Sequence, residues 1–359
     1  MQAPLIDNLQ YANWSEKVFR QLRSGGVDAV HVTIAYHENF REMVANLEAW
    51  NLWFERFPGL IFKGTTAADV RRAQETRRTA VFFGFQTPSP IEDDIGLVEI
   101  VHQLGVRFMQ LSYNNQSLLA TGCYEDEDPG LTRMGRAVVE EMNRVGLVVD
   151  MSHSAERSTL EAIDHSTRPI AITHANPGWW HPALRNKSDE VLRALTNSGG
   201  MLGFSLYPHH LAGGTNCSLT GFCEMVAEAA DRYGAENLGM GSDLCQDQPD
   251  SVVEWMRVGR WTKDVDYGEG SADAPGFPPM PDWSPSQNLK TAVVHWPAPS
   301  RFEVLGLQSL GYTDEVVLPL TVELMDPAKP LRMAGEVNYL TCQKICIPYT
   351  AKLALTLPQ

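Results

Sequence analysis

Short apolar runs alternate with longer amphipathic stretches through about the first 245 residues, and this alternation constrains the fold more than any other feature of the sequence. The runs are rich in Val, Ile, Leu, Phe or Met, as expected of strands buried on both faces. Helical periodicity between them, as in residues 95–104, 134–145 and 189–196, indicates βαβ units with parallel strands. Eight such units favour a closed (β/α)₈ barrel over an open sheet. The eight predicted strands are residues 4–7, 27–34, 79–86, 106–113, 147–153, 169–174, 200–206 and 238–243.

Polar side chains close six of these runs, at the strand ends where barrel enzymes carry their chemistry. Burying a polar group costs free energy unless the group is hydrogen-bonded. Six such groups at one rim therefore predict a functional site. Any single one of them could instead be a hydrogen-bonded core residue. His153 and His174 end neighbouring predicted strands about 4.8 Å apart. Both imidazoles can therefore bind one cation such as Zn²⁺, unless they are hydrogen-bonded within the barrel. The six residues are Asp7, Gln86, Tyr113, His153, His174 and Asp243.

Composition and charge narrow the class of protein. Hydrophobic residues make up 43% and charged residues 20% of the 359, as in an ordinary globular protein. The net charge of −15 argues against a nucleic-acid partner, because phosphate binding needs clustered Lys and Arg. No apolar run reaches the roughly 18 residues that span a bilayer, and no basic stretch precedes an apolar one at the amino terminus. We therefore expect a cytoplasmic protein with no membrane association.

Several motifs in order and spacing resemble the membrane (renal) dipeptidases over about residues 3–285. They are LGVRFMQLSYNNQSLLATG, GRAVVEEMNRVGL, GLVVDMSHSAERS, PIAITHANP, HPALRNKSDEVLRAL, GGMLGFSLYP and LGMGSDLCQ. The resemblance implies a metallo-dependent hydrolase on a (β/α)₈ barrel that cleaves dipeptides, some with a D-residue or a dehydro residue. It also implies two zinc ions bridged by a carboxylate, a small-molecule substrate and a homodimer.

Only some of the site residues of this family are matched in the sequence. His153 and His174 match the two later zinc-binding histidines. Arg185 matches the arginine that contacts the substrate carboxylate. A guanidinium suits this role because it can donate two parallel hydrogen bonds to a carboxylate. Asp243 matches the aspartate that handles the attacking water, which makes it the expected catalytic residue.

Other positions depart from the family pattern. Leu9 and Tyr11 stand where the family has the His-x-Asp that binds the first zinc. Gln86 stands at the bridging glutamate, and Tyr113 at a further substrate-contacting histidine. Leucine cannot bind zinc and a neutral amide is a poor bridge between two cations. We therefore expect one zinc ion on His153 and His174, with Gln86, Asp243 or a water as a further ligand. Tyr207, His209 and His210, which follow the seventh predicted strand, are other candidates for a third ligand.

The pattern changes after Ser284. Residues 267–287 are rich in Gly, Pro and Asp and indicate a loop. Period-two alternation then predicts strands at residues 316–325, 330–340 and 351–357. We expect residues 1–288 to form the barrel and residues 289–359 to form a short β-rich segment.

This second segment carries its own resemblance, through VHWPAPSRFEVLGLQSLGYTDEVVLPLTV and YLTCQKICIP. Both resemble the amino-terminal domain of the thiol–disulfide interchange protein DsbD, an immunoglobulin-like β-sandwich. Cys342 and Cys346 match its redox pair, with two unrelated thiols as the alternative. The opening strands of that domain are not recognisable, so the segment is either a genuine fusion or a junction between unrelated sequences.

Three functions follow as hypotheses. The first is a metal-dependent hydrolase that cleaves a dipeptide or related small amide by a metal-activated water, with Asp243 as base and Arg185 and Tyr113 contacting the substrate. The second is a non-catalytic barrel that binds small carboxylates. The third is thiol–disulfide exchange through Cys342 and Cys346.

Overall fold

The structure is a computed structural model, which describes residues 3–263, 277–281, 283, 286–287, 289–295, 300–304, 307–311, 319–342 and 346–357. The chain divides into two compact units, Met1–Pro281 and Asp282–Gln359. Among the described residues, no helix combines the length and the apolar character needed to cross a membrane.

The first unit is built around a parallel sheet that closes on itself. The order of hydrogen-bonded strands is β2-β1-β9-β8-β7-β6-β5-β4-β3, and an additional pairing of β2 with β4 closes the ring. Eight strands therefore form the barrel, which confirms the predicted (β/α)₈ fold. The strands are β1 (Leu5–Gln10), β2 (Val27–Ala35), β3 (Ile61–Lys63), β4 (Thr79–Phe85), β5 (Val106–Gln110), β6 (Val148–Asp150), β7 (Ala171–Ile172), β8 (Met201–Phe204) and β9 (Leu238–Met240).

Strand β3 lies outside the ring and was not predicted. It pairs only with the beginning of β4, where Ile61 lies opposite Thr79. The rest of that edge of β4 pairs with β5, beginning with Phe83 opposite Val106. Three residues are too few to show a strand pattern in the sequence, which explains the omission.

Helices follow the strands around the first unit, and local side chains fix several of their ends. Ser15, Thr132, Ser188 and Ser218 each accept a hydrogen bond from a backbone N–H of the first helical turn. These caps satisfy backbone donors that the helix itself leaves unpaired. The helices are α1 (Glu16–Ser24), α2 (Phe40–Arg56), α3 (Ala67–Thr76), α4 (Gly96–Gln103), α5 (Arg133–Val145), α6 (Glu156–His165), α7 (Asp189–Asn197), α8 (Leu219–Tyr233) and α9 (Asp250–Val258).

The barrel strands are shorter than the apolar runs that predicted them. Strand β6 ends at Asp150 and β7 at Ile172, so His153 and His174 lie two or three residues beyond the strands. The residues that follow β6 and β7 are not held in the sheet, so their backbone can turn. Their side chains thereby approach one another at the carboxyl end of the barrel.

The second unit contains β-strands in antiparallel pairs. Strands β15 and β16 form a long hairpin, and β10 adds to β15. Two further pairs are β11 with β14 and β12 with β13. The β-rich character predicted for this part of the chain is therefore confirmed. The strands are β10 (Ser286–Gln287), β11 (Leu289–Val294), β12 (Ser300–Val304), β13 (Leu307–Gly311), β14 (Leu320–Leu324), β15 (Leu331–Cys342) and β16 (Cys346–Leu357).

Candidate active site

One cavity at the carboxyl ends of the strands collects most of the residues that the sequence singled out. Gln86, Tyr113, His153, Arg185 and Asp243 all line it. His174 lies directly behind His153, with 3.1 Å between the two Nε2 atoms. The structure therefore brings Arg185 together with five of the six predicted rim residues, and Asp7 is the exception. The cavity is also lined by Tyr36, Asn114, Tyr207, His210, Cys245, Val253, Met256 and Arg257.

The hydrogen bonds of the two imidazoles fix which nitrogen carries the proton. His153 donates from Nδ1 to the Asn114 Oδ1 atom at 2.7 Å. His174 Nδ1 lies 2.8 Å from the Thr173 hydroxyl, which itself donates to Asp150 at 2.6 Å. A hydroxyl that has given its proton to a carboxylate can only accept, so His174 also carries its proton on Nδ1. Both Nε2 atoms therefore present lone pairs.

Two lone pairs 3.1 Å apart repel each other unless they share a proton or a metal ion. Burial, followed by the nearby Arg185 guanidinium, lowers the pKa of both histidines well below the usual value. An extra proton is therefore disfavoured, whereas neutral imidazoles are the form that binds metals. The pair fits one metal ion with two protein ligands.

The residues do not fit the second ion of the family. Leu9 is fully buried and Tyr11 packs edge-on against Tyr36, with 4.6 Å between their ring centroids. The Gln86 amide nitrogen donates to Tyr36 Oη at 2.7 Å and to Thr33 Oγ1 at 2.9 Å. Only the amide oxygen of Gln86 remains for a cation. Within the described ranges, no group of three or more His, Cys, Asp or Glu side chains is arranged to hold a metal ion.

Arg185 lines the cavity together with His153 and is 1% exposed. Its guanidinium donates to the backbone carbonyls of Ser152 and of His174, the latter at 3.1 Å. No carboxylate pairs with it among the residues that the structure describes. A buried cation without a counter-charge is costly, and a bound carboxylate would provide that charge.

Asp243 and Tyr113 complete the polar lining. Asp243 has a left-handed backbone, with φ of 56°, and its N–H donates to the Leu9 carbonyl at 3.0 Å. Aspartate tolerates this conformation better than most residues, and strained backbone is concentrated at functional sites. Tyr113 stacks on His153, with 4.1 Å between the ring centroids. Burial, and then the Asp243 charge, raises the pKa of Tyr113, so its phenol stays protonated and can donate.

Asp7 closes a predicted strand but has a structural role instead. Its carboxylate accepts from the Ser242 N–H at 2.8 Å, from the Ser242 hydroxyl, and from Gln10 Nε2 at 2.7 Å. The two bonds from Ser242 connect β1 with the segment that follows β9. Asp7 is therefore one of the paired core residues that the sequence left open as an alternative.

Several residues around the site were missed by sequence reasoning. Asp150 and Asn114, which hold the two histidines, lie inside the quoted motifs, yet nothing in the sequence shows that they contact imidazole rings. Tyr36 follows the second predicted strand closely, and an aromatic hydroxyl at that place was an available signal. His210 was not missed: the sequence offered it as a candidate third metal ligand, and it lines the cavity from the loop after β8.

Cys342 and Cys346 lie in the second unit. They are Cα partners at the end of the β15–β16 hairpin, directly opposite each other across the antiparallel ladder. Opposed residues in such a ladder have Cα atoms about 4.5–5.5 Å apart, within the range that a disulfide spans. In the barrel unit, Cys123, Cys217, Cys223 and Cys245 form no disulfide.

Comparisons with known proteins agree with both resemblances. Residues 7–259 match the family model for membrane dipeptidase (peptidase family M19). Residues 272–358 match the model for the amino-terminal part of thiol:disulfide interchange protein DsbD.

Curated relatives match the barrel part of the chain. Dipeptidase tcpJ of Claviceps purpurea is 28% identical over 225 residues, which are 60% of this chain and 51% of that protein. Dipeptidase verJ of Clonostachys rogersoniana is 28% identical over 217 residues, 59% of this chain and 55% of that protein. This chain therefore spans about half the length of the curated relatives it matches.

Solved structures share the fold. An amidohydrolase from Pseudomonas aeruginosa is 34% identical with a TM-score of 0.70, covering 71% of this chain and 78% of that one. A metallopeptidase from Rhodobacter sphaeroides, bound to a phosphinate mimic of L-Ala-D-Ala, is 20% identical with a TM-score of 0.61, covering 68% of this chain and 86% of that one. Because the family model spans residues 7–259, well over half of the sequence, this chain belongs to the membrane dipeptidase family, peptidase family M19.

Proposed function

We propose that the barrel is a dipeptidase-like hydrolase that holds one metal ion on His153 and His174 and cleaves a dipeptide or a related small amide. The observation that carries this proposal is the convergence of the two Nε2 atoms at 3.1 Å, with both Nδ1 atoms held by hydrogen bonds. When bound, a zinc ion supplies Lewis acidity that lowers the pKa of a coordinated water to about 7.

Three residues of the chain bind the substrate and move the proton. Arg185 binds the substrate carboxylate through its buried guanidinium, which orients the scissile amide in the cavity. Asp243 accepts the proton that the attacking water loses. Tyr113, which stays protonated, donates a hydrogen bond to the substrate from the wall above His153. The Rhodobacter sphaeroides structure with a dipeptide mimic supports this class of substrate.

Metal counting and a dipeptide panel test this function. The full chain is loaded with Zn²⁺ or Co²⁺, freed of excess metal, and assayed for metal content and for hydrolysis of L,L and L,D dipeptides. We expect one ion per chain and hydrolysis that depends on it. His174→Ala should lose both, whereas His102→Ala, on the outer helix α4, should keep both.

A different outcome would favour the binding barrel. If the loaded chain retains clearly substoichiometric metal and hydrolyses none of the peptides, the hydrolase proposal fails. A rise in melting temperature with small carboxylates that does not depend on zinc would then identify a non-catalytic carboxylate-binding site.

The second unit supports a separate candidate function. We propose thiol–disulfide exchange through Cys342 and Cys346, on the basis of their opposed positions in the hairpin and the match of residues 272–358 to DsbD. The full chain should exchange electrons with a thioredoxin-like donor, as measured by thiol titration. Unchanged exchange by Cys342→Ser would exclude this role.

A further inference from the structure

We propose that Asp150, acting through the Thr173 hydroxyl, is the positioning residue that keeps the proton of His174 on Nδ1 and so leaves Nε2 as a metal ligand. This inference rests on the proposed function, because it assigns a task within the same site. Asp150 contacts neither the cavity nor His153, and it acts entirely through Thr173 and Ser152.

The four residues of this relay are fully buried. Asp150, Ser152, Thr173 and His174 each have 0% exposure. Water therefore cannot substitute for a missing partner, and each hydrogen bond must be made within the protein. The direction in which each proton points is then determined by the groups themselves.

The direction follows from the carboxylate, which can only accept. Asp150 Oδ1 accepts from the Ser152 N–H at 3.0 Å, from the Ser152 hydroxyl at 2.5 Å and from the Thr173 N–H at 3.2 Å. Its Oδ2 accepts from the Thr173 hydroxyl at 2.6 Å. The Thr173 proton is committed to Asp150, so its oxygen accepts from His174 Nδ1 at 2.8 Å.

The two carboxylate oxygens have different partners, and this makes the substitution Asp150→Asn informative. Three donors surround Oδ1, so the amide oxygen of asparagine must occupy that position. The amide nitrogen then replaces Oδ2 and donates to the Thr173 oxygen. The Thr173 hydroxyl turns to donate to His174 Nδ1, and the His174 proton moves to Nε2. In that tautomer His174 donates to His153 Nε2 and is no longer a ligand.

Three measurements test the relay, and two of them require no metal. In the metal-free chain labelled with ¹⁵N-histidine, the nitrogen shifts should show His174 protonated on Nδ1 in the wild type and unprotonated there in Asp150→Asn. Zn²⁺ affinity, measured by competition with a chelator, should fall about 10- to 100-fold in Asp150→Asn, as for other partners of metal-bound histidines. The melting temperature of metal-free Asp150→Asn should not fall, because the two imidazoles now share a hydrogen bond.

Matched variants separate this role from general stability. Thr173→Ser keeps the hydroxyl and should retain both the tautomer and the zinc affinity. Thr159→Val removes a different buried hydroxyl, which donates to the carbonyl of Ala155, the residue before α6, at 2.7 Å, and should change neither. An Asp150→Asn chain that keeps the proton of His174 on Nδ1, or that binds zinc as tightly as the wild type, would overturn the inference. Failure of the wild type to bind metal would instead overturn the proposed function, since the nitrogen shifts are measured without metal.

Discussion

Lys187 is a buried cation with no ion-pair partner in the part of the chain that the structure describes. It is 4% exposed, and its Nζ atom donates to the Ser154 carbonyl at 2.7 Å. Burial, with the adjacent Arg185 charge as a second cause, lowers the pKa of Lys187 to about 7. Arg185 and Lys187 both disfavour an extra proton on His153 and His174.

The stability contributed at Lys187 should depend on pH. Between about pH 7 and pH 10, the unfolded lysine still binds a proton that the folded lysine has released. The free energy of unfolding of the wild type should therefore rise relative to that of Lys187→Met, by at most about 1.4 kcal/mol per pH unit. Below pH 7 both states are protonated, and the difference should stay constant. Urea denaturation at pH 6, 7, 8 and 9 measures it, and a constant difference across all four would contradict the lowered pKa.

Closure of the barrel depends on how its first and last strands are joined. Strands β1 and β9 pair through a single register position, Asp7 opposite Met240. The Asp7 carboxylate adds bonds to the backbone and side chain of Ser242, just after β9. The bridge between Gln10 and Leu244 continues this short ladder, and the hydrogen bonds of the Asp7 side chain supplement it.

Removing the Asp7 carboxylate should weaken this closure. Asp7→Ala leaves the buried Ser242 N–H and the Gln10 amide without their acceptor, and we expect a loss of about 2–4 kcal/mol in the free energy of unfolding. Urea denaturation of the full chain measures the change. Asp93→Ala, at an exposed position before α4, should stay within about 0.5 kcal/mol of the wild type. A similar small change in Asp7→Ala would show that backbone pairing alone closes the barrel.

The whole molecule combines two units with separate family matches. The dipeptidase match, residues 7–259, lies within the compact unit Met1–Pro281, and most of the DsbD match, residues 272–358, lies within the unit Asp282–Gln359. We propose that function divides in the same way, between a barrel of residues 1–288 and a redox segment of residues 289–359.

Truncation tests this division. A chain that ends at residue 288 should retain metal binding and hydrolysis at the level of the full chain, because every proposed site residue of the barrel lies before that point. Cys342→Ser in the full chain should likewise leave hydrolysis unchanged while abolishing thiol exchange. Loss of hydrolysis in both the truncated chain and Cys342→Ser would show that the two functions are coupled.

The eight barrel strands could be predicted from the sequence because burial on both faces forces each strand to be apolar along its length. Glycine and polar residues mark the ends of those runs. Since parallel strands all end at the same rim, the positions of Gln86, His153, His174 and Asp243 there could be predicted. The replacement of metal ligands by Leu9 and Tyr11 was equally visible, since a hydrocarbon side chain cannot bind zinc. The sequence thus determined the fold and the residues that meet at its rim.

Only the tertiary structure decided what those residues do to one another. Asp150 and His174 are 24 positions apart, and no pattern along the chain shows that Thr173 connects them. Asp7 looked like a rim residue and proved to join β1 to the segment after β9, whereas Lys187 lies in a polar stretch and proved to be buried. Hydrogen-bond direction and burial depend on contacts between distant segments. For that reason the sequence identified the histidine pair, and the fold determined which of its nitrogens carry protons.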